Sequence, residues 1–232
     1  SMLRHGVYYR TNPNPETGEY VHPEQVAKHV VKIFIPGLVR SDLSYLQRVL
    51  ATVRPWRDYA RSVQRMQIME QEARGHDAPI PQLPAAMEWW ESNFKLVGDL
   101  AMRGYPCHVQ AYEEVLARPR ETIEAVLEWI GLGGDVDAAA ARVLEAGKAR
   151  ATSHSVQDAD DDEALAEGIA PEHLRVFDQF YGAVRDGEGL SSGLIAEMNR
   201  VHEVLMPSLN DAKVAVMGNM EAWLEHHIPE GP

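Results

Sequence analysis

Residues 47–66 constrain the fold more than any other stretch, because they combine a short apolar run with a sharp exit and a helix. Val49–Val53 is β-branched and aliphatic, which predicts a buried strand. Arg54 follows it, and Pro55 suits the first turn of a helix, since its missing N–H would have no intrahelical partner there. Asp58 adds a negative charge where the helix dipole favours one. We therefore predict a strand–turn–helix unit with an arginine at the C-terminal tip of the strand.

The helix predicted after Arg54 carries a serine at a defined distance. Ser62 stands eight residues after Arg54, which is about two helical turns at 3.6 residues per turn. Open α/β sheets bind ligands outside the carboxyl ends of their strands, so Arg54 is a candidate ligand-binding residue. The other interpretation is an ordinary strand–helix unit with a surface arginine and a helical serine, and this segment alone leaves both open.

The rest of the chain alternates predicted helices, strands and loops. Apolar periodicity and the positions of proline and glycine set the boundaries of each element. Helices are expected at residues 23–29, 55–73, 85–102, 120–130, 135–146, 171–184, 190–205 and 209–224, with a helical turn at 42–46. Further strands are expected at 30–35 and 107–111, and loops at 1–20, 75–84 and 149–167. The break between the last two helices is predicted around Pro207.

Charge is distributed unevenly along the 232 residues, whose formal net charge is -13. Residues 151–232 hold 16 acidic and 4 basic side chains, and this excess argues against nucleic acid as a partner. Six arginines between Arg40 and Arg65 still allow a small polyanion in one cleft. Among them, we interpret Arg57, Arg61 and Arg65 as a solvated helix face.

The sequence carries no signal for secretion or for a membrane span. The only cysteine is Cys107, so no intrachain disulfide can form. No apolar run approaches the length of a transmembrane helix, and the N-terminus lacks a signal pattern. We therefore expect a soluble cytoplasmic protein. No metal site is expected either, because the acidic run at 158–163 lacks the glycine of a calcium loop and His226-His227 lacks ligand spacing.

A second pattern follows the strand predicted at residues 107–111. Tyr112 stands at its C-terminal end and is followed by Glu-Glu-Val-Leu, then Pro119, then a helix that ends in Trp-Ile-Gly-Leu at 129–132. The two patterns in this order resemble the sulfotransferase family that uses 3′-phosphoadenosine 5′-phosphosulfate (PAPS). That family has a strand followed by Arg-x7-Ser and, further on, a strand followed by Tyr-Glu-Asp/Glu-aliphatic, a proline and a helix ending in aromatic-x-Gly-Leu.

The resemblance covers about residues 12–132 and implies roles for several side chains. Arg54 and Ser62 would hold the 3′-phosphate of PAPS, and Tyr112 would lie near its adenine. A glycine turn before the predicted strand that holds Lys32 fits the bacterial branch of the family. The implied fold is α/β, with a parallel sheet flanked by helices as in P-loop NTPases, and the remaining residues predict a C-terminal all-helical extension.

The family's phosphate loop and general base are not matched by this sequence. The family carries a strand–loop–helix cradle, with a Pro-Arg/Lys-Ser-Gly-Thr-Ser-like loop, around the 5′-phosphosulfate. The first three residues fit the start of the helix after that loop, so either the loop precedes this sequence or the protein is a natural variant without it. Phe34 stands where better-known members have a histidine. We assign Lys32 a role beside the sulfuryl group that is transferred. His22 is assigned to remove the acceptor's proton, and Glu19 and Glu24 are alternatives to His22 in that role.

Two parts are therefore predicted, a sulfotransferase-like α/β domain over residues 1–150 and an acidic loop with a helical extension over 151–232. The predicted function is transfer of a sulfuryl group from PAPS to a hydroxyl or amine of a small-molecule or glycan acceptor, without a metal. One alternative is a non-catalytic module that binds a nucleotide or a protein, and a further one is a P-loop kinase relative. The C-terminal helices leave open a protein partner or a homo-oligomer.

Overall fold

The computed structural model describes residues 18–26, 30–74, 83–153, 165–166 and 168–227. Within these ranges the chain is mostly helical and carries a small parallel sheet of two strands. This agrees with the predicted α/β class, while the P-loop NTPase-like arrangement stays a prediction. No helix in this part of the chain has the length and apolar character needed to cross a bilayer.

The two strands are separated by helices and followed by further helices. The elements in chain order are α1 (Pro23–Val26), α2 (Ile35–Leu38), a 3-10 turn (Leu43–Tyr45), β1 (Val49–Val53), α3 (Trp56–Arg74), α4 (Ala85–Arg103), β2 (Cys107–Ala111), α5 (Tyr112–Ala117), α6 (Pro119–Ile130), α7 (Val136–Ser153), α8 (Pro171–Asp186) and α9 (Ser192–His227). Both strands have the predicted bounds, and α3, α4, α6 and α8 begin and end within 2 residues of the predicted positions.

The sheet pairs two apolar runs that are connected by the crossover of α3 and α4. The N–H of Val49 donates to the carbonyl of Pro106 at 2.9 Å, next to the first residue of β2. Val53 and Ala111, the last residues of the two strands, are both buried. In a parallel pair the carboxyl ends of both strands lie at the same edge of the sheet. The residues that follow Val53 and Ala111 therefore share one edge.

The predicted strand that carries Lys32 does not form. Residues 30–34 have no regular structure, and Ile35–Leu38 is a helical turn. Val30 is 100% exposed and Phe34 is 68% exposed, while Ile33 and Ile35 are half-buried against the Leu38 cluster, so the run is buried only in part. A strand needs a neighbour that satisfies its backbone groups, and the sheet in the described residues contains only β1 and β2. Lys32 therefore lies on an irregular segment, and its side chain is exposed.

Helix α9 continues through Pro207, where the sequence predicted a break between two helices. A proline inside a helix removes one hydrogen bond and costs about 3 kcal/mol. Leu205 and Leu209 on either side of it are buried, as are Met198 and Val201 earlier in the helix. Their helical spacing is maintained across the proline, and the burial of this apolar stripe offsets the lost hydrogen bond.

Two other helices differ from the prediction. Helix α7 continues to Ser153 instead of ending at residue 146, because the alanine-rich sequence extends further and alanine has the highest helix propensity. Helix α5 was not predicted, since its six residues are too few for a clear apolar period. Most of the predicted loops, at 1–20, 75–84 and 149–167, fall outside the described residues.

The chain divides into two compact units. The first comprises Ser1–Ala51 and Ser92–His108, and the second comprises Thr52–Glu91 and Val109–Pro232. Helices α3 and α8 belong to the same unit. The division into two domains at residue 150 stays a prediction.

The first unit is organised around a small apolar core and one arginine. Leu38 and Tyr105 are buried in the same cluster. The guanidinium of Arg103 donates to the carbonyls of Ser41 at 2.6 Å and Leu38 at 3.1 Å. It also donates to the carboxylate of Asp99 at 2.7 Å, which in turn accepts the Tyr105 hydroxyl at 2.8 Å. These bonds join α2 to the C-terminal turn of α4.

The second unit is built around packed aromatic rings. Trp90 stacks on Phe177 with ring centroids 4.4 Å apart, and Trp89 lies 5.5 Å from the same ring. Trp56 meets Phe177 edge-on at 6.4 Å, and Trp89 meets Phe180 edge-on at 5.9 Å. All five residues are at most 2% exposed. Helix α8 is thus part of the core of this unit.

Candidate functional site

The carboxyl ends of β1 and β2 lead directly into the two residues at the centre of the candidate site. Arg54 follows the last residue of β1, and Tyr112 follows the last residue of β2 and begins α5. The Cζ atom of Arg54 lies 4.1 Å from the centroid of the Tyr112 ring, and both residues are half-buried. A guanidinium over a ring at this distance is a cation–π contact. Two residues predicted separately for nucleotide binding are therefore in contact.

The backbone of Arg54 is held by a tryptophan of α4. The indole N–H of Trp89 donates to the carbonyl oxygen of Arg54 at 2.9 Å. Trp89 is buried and packs against Phe177 and Phe180 of α8. A buried indole N–H needs an acceptor, and here the acceptor is the strand tip. The aromatic core of the second unit therefore fixes the backbone position of Arg54.

The N-terminal turn of α5, which begins with Tyr112, is held through the residue that follows the tyrosine. The hydroxyl of Tyr181 on α8 donates to Oε2 of Glu113 at 3.0 Å. Burial raises the pKa of Tyr181, and the Glu113 carboxylate that accepts its hydrogen bond raises it further. The phenol therefore stays protonated at neutral pH and acts as a donor. This bond joins the first turn of α5 to α8.

Ser62 lies on α3, as predicted, and is half-buried. At a rise of 1.5 Å per residue, it stands about 9 Å along the helix axis from Trp56, the first residue of α3. The resemblance assigns its hydroxyl, with the guanidinium of Arg54, to one phosphate. Both residues belong to the second compact unit, as does Tyr112.

The neighbouring arginines of α3 are engaged by carboxylates. Arg57 donates to Oδ1 of Asp178 at 2.8 Å, and its Cζ lies 4.3 Å from the Trp56 ring centroid. Arg61 pairs with Asp58 at 3.6 Å. The side chain of Arg57 is 37% exposed although it pairs with α8, and its interpretation as part of a solvated helix face stays a prediction. The positive charge at Arg57 and Arg61 is balanced locally.

The two residues assigned to the chemical step, Lys32 and His22, lie in the first compact unit. The ring of His22 meets Tyr20 edge-on at 4.9 Å, and the backbone N–H of His22 donates to Oε1 of Gln25 in α1 at 2.7 Å. Lys32 lies on an irregular segment, and His22 lies directly before α1. Both side chains are exposed.

Sequence reasoning missed three residues that support the site, namely Trp89, Glu113 and Tyr181. No role was assigned to Trp89 from the sequence. A signal was present, because a tryptophan in a core-forming helix requires an acceptor for its N–H. The sequence does not show that the acceptor is Arg54, since that depends on tertiary packing. Glu113 was recognised only as part of the pattern that follows Tyr112, without a role of its own.

Nothing in the described ranges forms a group of three or more His, Cys, Asp or Glu residues that could hold a metal ion. The chain matches no family model, no curated protein and no solved structure. The interpretation of the site therefore depends on the residues themselves and on the geometry at the carboxyl edge of the sheet.

Proposed function

We propose that this protein binds PAPS at the carboxyl edge of its sheet and transfers the sulfuryl group to a hydroxyl or amine acceptor. The contact between Arg54 and Tyr112, at 4.1 Å from Cζ to ring centroid, is the observation that carries the proposal. The resemblance assigns these residues to the phosphate and the base of one adenosine 3′-phosphate. They follow different strands and meet at the edge where open α/β sheets bind ligands.

The side chains at this edge have the chemistry that a 3′-phosphorylated adenosine requires. The guanidinium of Arg54 presents N–H groups in its plane, which suits bidentate, charge-assisted hydrogen bonds to phosphate. Ser62 offers a hydroxyl donor, and the face of Tyr112 suits stacking with a purine. PAPS supplies the activated sulfuryl group when bound, while the protein contributes position and charge stabilisation.

Lys32 and His22 remain the residues that we assign to the chemical step. The ammonium of Lys32 would stabilise negative charge on the transferring group. The imidazole of His22 would accept the proton of the acceptor hydroxyl as the new oxygen–sulfur bond forms. Substitution of either residue should lower kcat without weakening nucleotide binding, since neither is assigned to the nucleotide.

A second candidate function is nucleotide binding without catalysis. It is favoured by the segment around Lys32, which is irregular where the family has a strand, and by Phe34, which is 68% exposed where the family has its histidine. In this case Arg54, Ser62 and Tyr112 would still bind a 3′-phosphorylated nucleotide, and the bound form would present a surface to a partner.

Thermal unfolding with two nucleotides tests the proposal. A ligand that binds only the native state raises the unfolding temperature, so 3′-phosphoadenosine 5′-phosphate (PAP) should raise it well above the shift given by AMP at equal concentration. Equal shifts would overturn the assignment of the 3′-phosphate. Incubation with PAPS and a phenolic acceptor then separates the two candidates, because only a sulfotransferase releases PAP and forms the aryl sulfate.

A further inference from the structure

Helix α8 lies beyond the segment that resembles the sulfotransferases, which ends near residue 132. It nevertheless supports both members of the Arg54–Tyr112 pair, each through one intermediate residue. On the Arg54 side the intermediate is Trp89, which packs on two phenylalanines of α8 and donates to the carbonyl of Arg54 at 2.9 Å. The position of Arg54 therefore depends on buried aromatic packing, which also stabilises the core of the second unit.

On the Tyr112 side the intermediate is Glu113, whose carboxylate and backbone N–H both interact with the Tyr181 hydroxyl. The Tyr181 hydroxyl donates to Oε2 of Glu113 at 3.0 Å, and Tyr181 is only 7% exposed. Because the Tyr181 ring is buried in α8, its hydroxyl has little freedom to move. Glu113 is the second residue of α5, so the bond acts directly on the turn that begins with Tyr112.

Helix α5 has no side-chain cap, and its first turn is fixed by tertiary contacts, one of which is the bond from the Thr122 hydroxyl to the carbonyl of Glu114 at 3.2 Å. It contains six residues, and its N-cap is Ala111, which has no side chain that caps the helix. A short helix without a cap is marginal in water and depends on tertiary contacts. The ion pair between Glu114 and Arg118 lies within the helix and its C-cap, and is too exposed to contribute much. The bond from Tyr181 is therefore a specific tertiary anchor for this turn.

We propose that Tyr181 is a positioning residue of the nucleotide site, which holds the Tyr112 ring against the Arg54 guanidinium through its hydrogen bond to Glu113. The role of this contact in nucleotide binding depends on the proposed function. Tyr181 itself does not touch the nucleotide, so its loss should change affinity through the geometry of Tyr112 and leave the aromatic core intact.

The first readout needs no nucleotide. The side-chain Nε–Hε signal of Arg54 should be shifted upfield in NMR spectra by the Tyr112 ring current, and Tyr112→Leu should identify it by removing that shift. Tyr181→Phe keeps the buried ring and removes the hydroxyl, so the Arg54 signal should move toward its position in Tyr112→Leu. Glu113→Ala removes the carboxylate acceptor and keeps the backbone N–H that also interacts with the Tyr181 hydroxyl, so the Arg54 signal should move in the same direction by a smaller amount.

Two controls separate positioning from a general effect on the fold. Glu113→Gln keeps a carbonyl that can accept from Tyr181, so the Arg54 signal should stay at its parental position. Tyr105→Phe removes a hydroxyl in a setting like that of Tyr181. Tyr105 is also 7% exposed, and its hydroxyl also donates to a carboxylate, that of Asp99, at 2.8 Å. Tyr105 belongs to the other compact unit, so this variant should leave the Arg54 signal unchanged.

The second readout is calorimetric titration with PAP. Tyr181→Phe should bind PAP up to about tenfold more weakly than the parent, which corresponds to the loss of one net hydrogen bond, while Glu113→Gln and Tyr105→Phe bind like the parent. Parental protein that does not bind PAP would overturn the proposed function. Parental protein that binds PAP, together with unchanged affinity and an unchanged Arg54 signal in Tyr181→Phe, would overturn the role of Tyr181 alone.

Discussion

The guanidinium carbon of Arg54 lies 4.1 Å from the centroid of the Tyr112 ring, at the edge where both parallel strands end. The backbone of Arg54 is fixed by the indole of Trp89, and the turn that begins with Tyr112 is fixed by the bond from Tyr181 to Glu113. Both residues are thus held in place by contacts within the second compact unit. Such preorganisation would favour binding of a ligand at this edge.

The aromatic core that supports this pair should dominate stability. Phe177 is fully buried and contacts Trp56, Trp89 and Trp90. Phe177→Ala should lower the free energy of unfolding by about 3–5 kcal/mol, because it removes buried apolar surface and leaves a cavity. Urea denaturation of parent and variant measures this difference.

The chain offers a matched control for that substitution. Phe34 is 68% exposed, so Phe34→Ala should change the free energy of unfolding by no more than about 0.5 kcal/mol. Comparable losses from the two substitutions would contradict the placement of Phe177 at the centre of the core.

The strands were predictable because the residues at their ends mark their limits. Val49–Val53 ends at Arg54-Pro55, and Cys107–Ala111 begins after Pro106, so each apolar run has a chemical boundary. The apolar run at 30–35 has similar composition and does not form a strand. Local composition does not show whether a run has a neighbour to pair with, and that depends on the rest of the fold.

The contact at the centre of the candidate site was predictable in part for the same reason. Arg54 and Tyr112 were assigned from short patterns next to the strands, and the parallel sheet brings them together. Their supports, Trp89 and Tyr181, come from elements distant in sequence. A pattern marks tryptophan as core-forming and tyrosine as a boundary residue, but the acceptor that each one meets is set only by tertiary packing.

An ion pair between α4 and α9 should contribute measurably to stability. Glu91 is 7% exposed and pairs with Lys213. Lys213→Met would leave a buried carboxylate without its cation, and should lower the free energy of unfolding by about 2–3 kcal/mol, below the range for fully buried pairs because Lys213 is partly exposed. Chemical denaturation at neutral pH measures the loss.

The double variant Lys213→Met/Glu91→Leu should regain most of that stability, since it replaces the pair with apolar groups. As a matched control, Lys95→Met changes an exposed lysine of α4. Because polar contacts of an exposed side chain contribute little to stability, the effect should be within about 0.5 kcal/mol. If Lys213→Met and Lys95→Met unfold at the same denaturant concentration, the pair contributes nothing.

The thiol of Cys107 should be unreactive in the folded protein. Burial raises its pKa from 9.0 to about 11, although a backbone hydrogen bond from Ala51 lowers it slightly. Because the thiolate is the nucleophile, alkylation by iodoacetamide at pH 8 should be slow in buffer and fast in denaturant. Equal alkylation rates in the two solutions would contradict the burial of this side chain.

The same shift predicts a loss of stability at alkaline pH. The folded state holds the thiol proton up to about pH 11 and the unfolded state only to about pH 9, so the unfolded state gains from ionisation as pH rises between these values. The free energy of unfolding should therefore fall more steeply from pH 9 to 11 in the parent than in Cys107→Ala. Parallel curves for the two proteins would contradict this assignment.

The central claim is that Arg54 binds the 3′-phosphate of the nucleotide, and calorimetric titration of PAP into the parent, Arg54→Ala and Arg61→Ala tests it most directly. Arg61 lies in α3, the helix that follows Arg54, and it pairs with Asp58 at 3.6 Å. It is therefore a matched control, since it is an arginine of the same segment that is not assigned to the nucleotide. Arg54→Ala should weaken binding by about 2–4 kcal/mol, because a charged partner of the phosphate is lost, while Arg61→Ala should bind like the parent. Arg54→Ala that binds PAP as tightly as the parent, with Arg61→Ala weakened, would contradict the account.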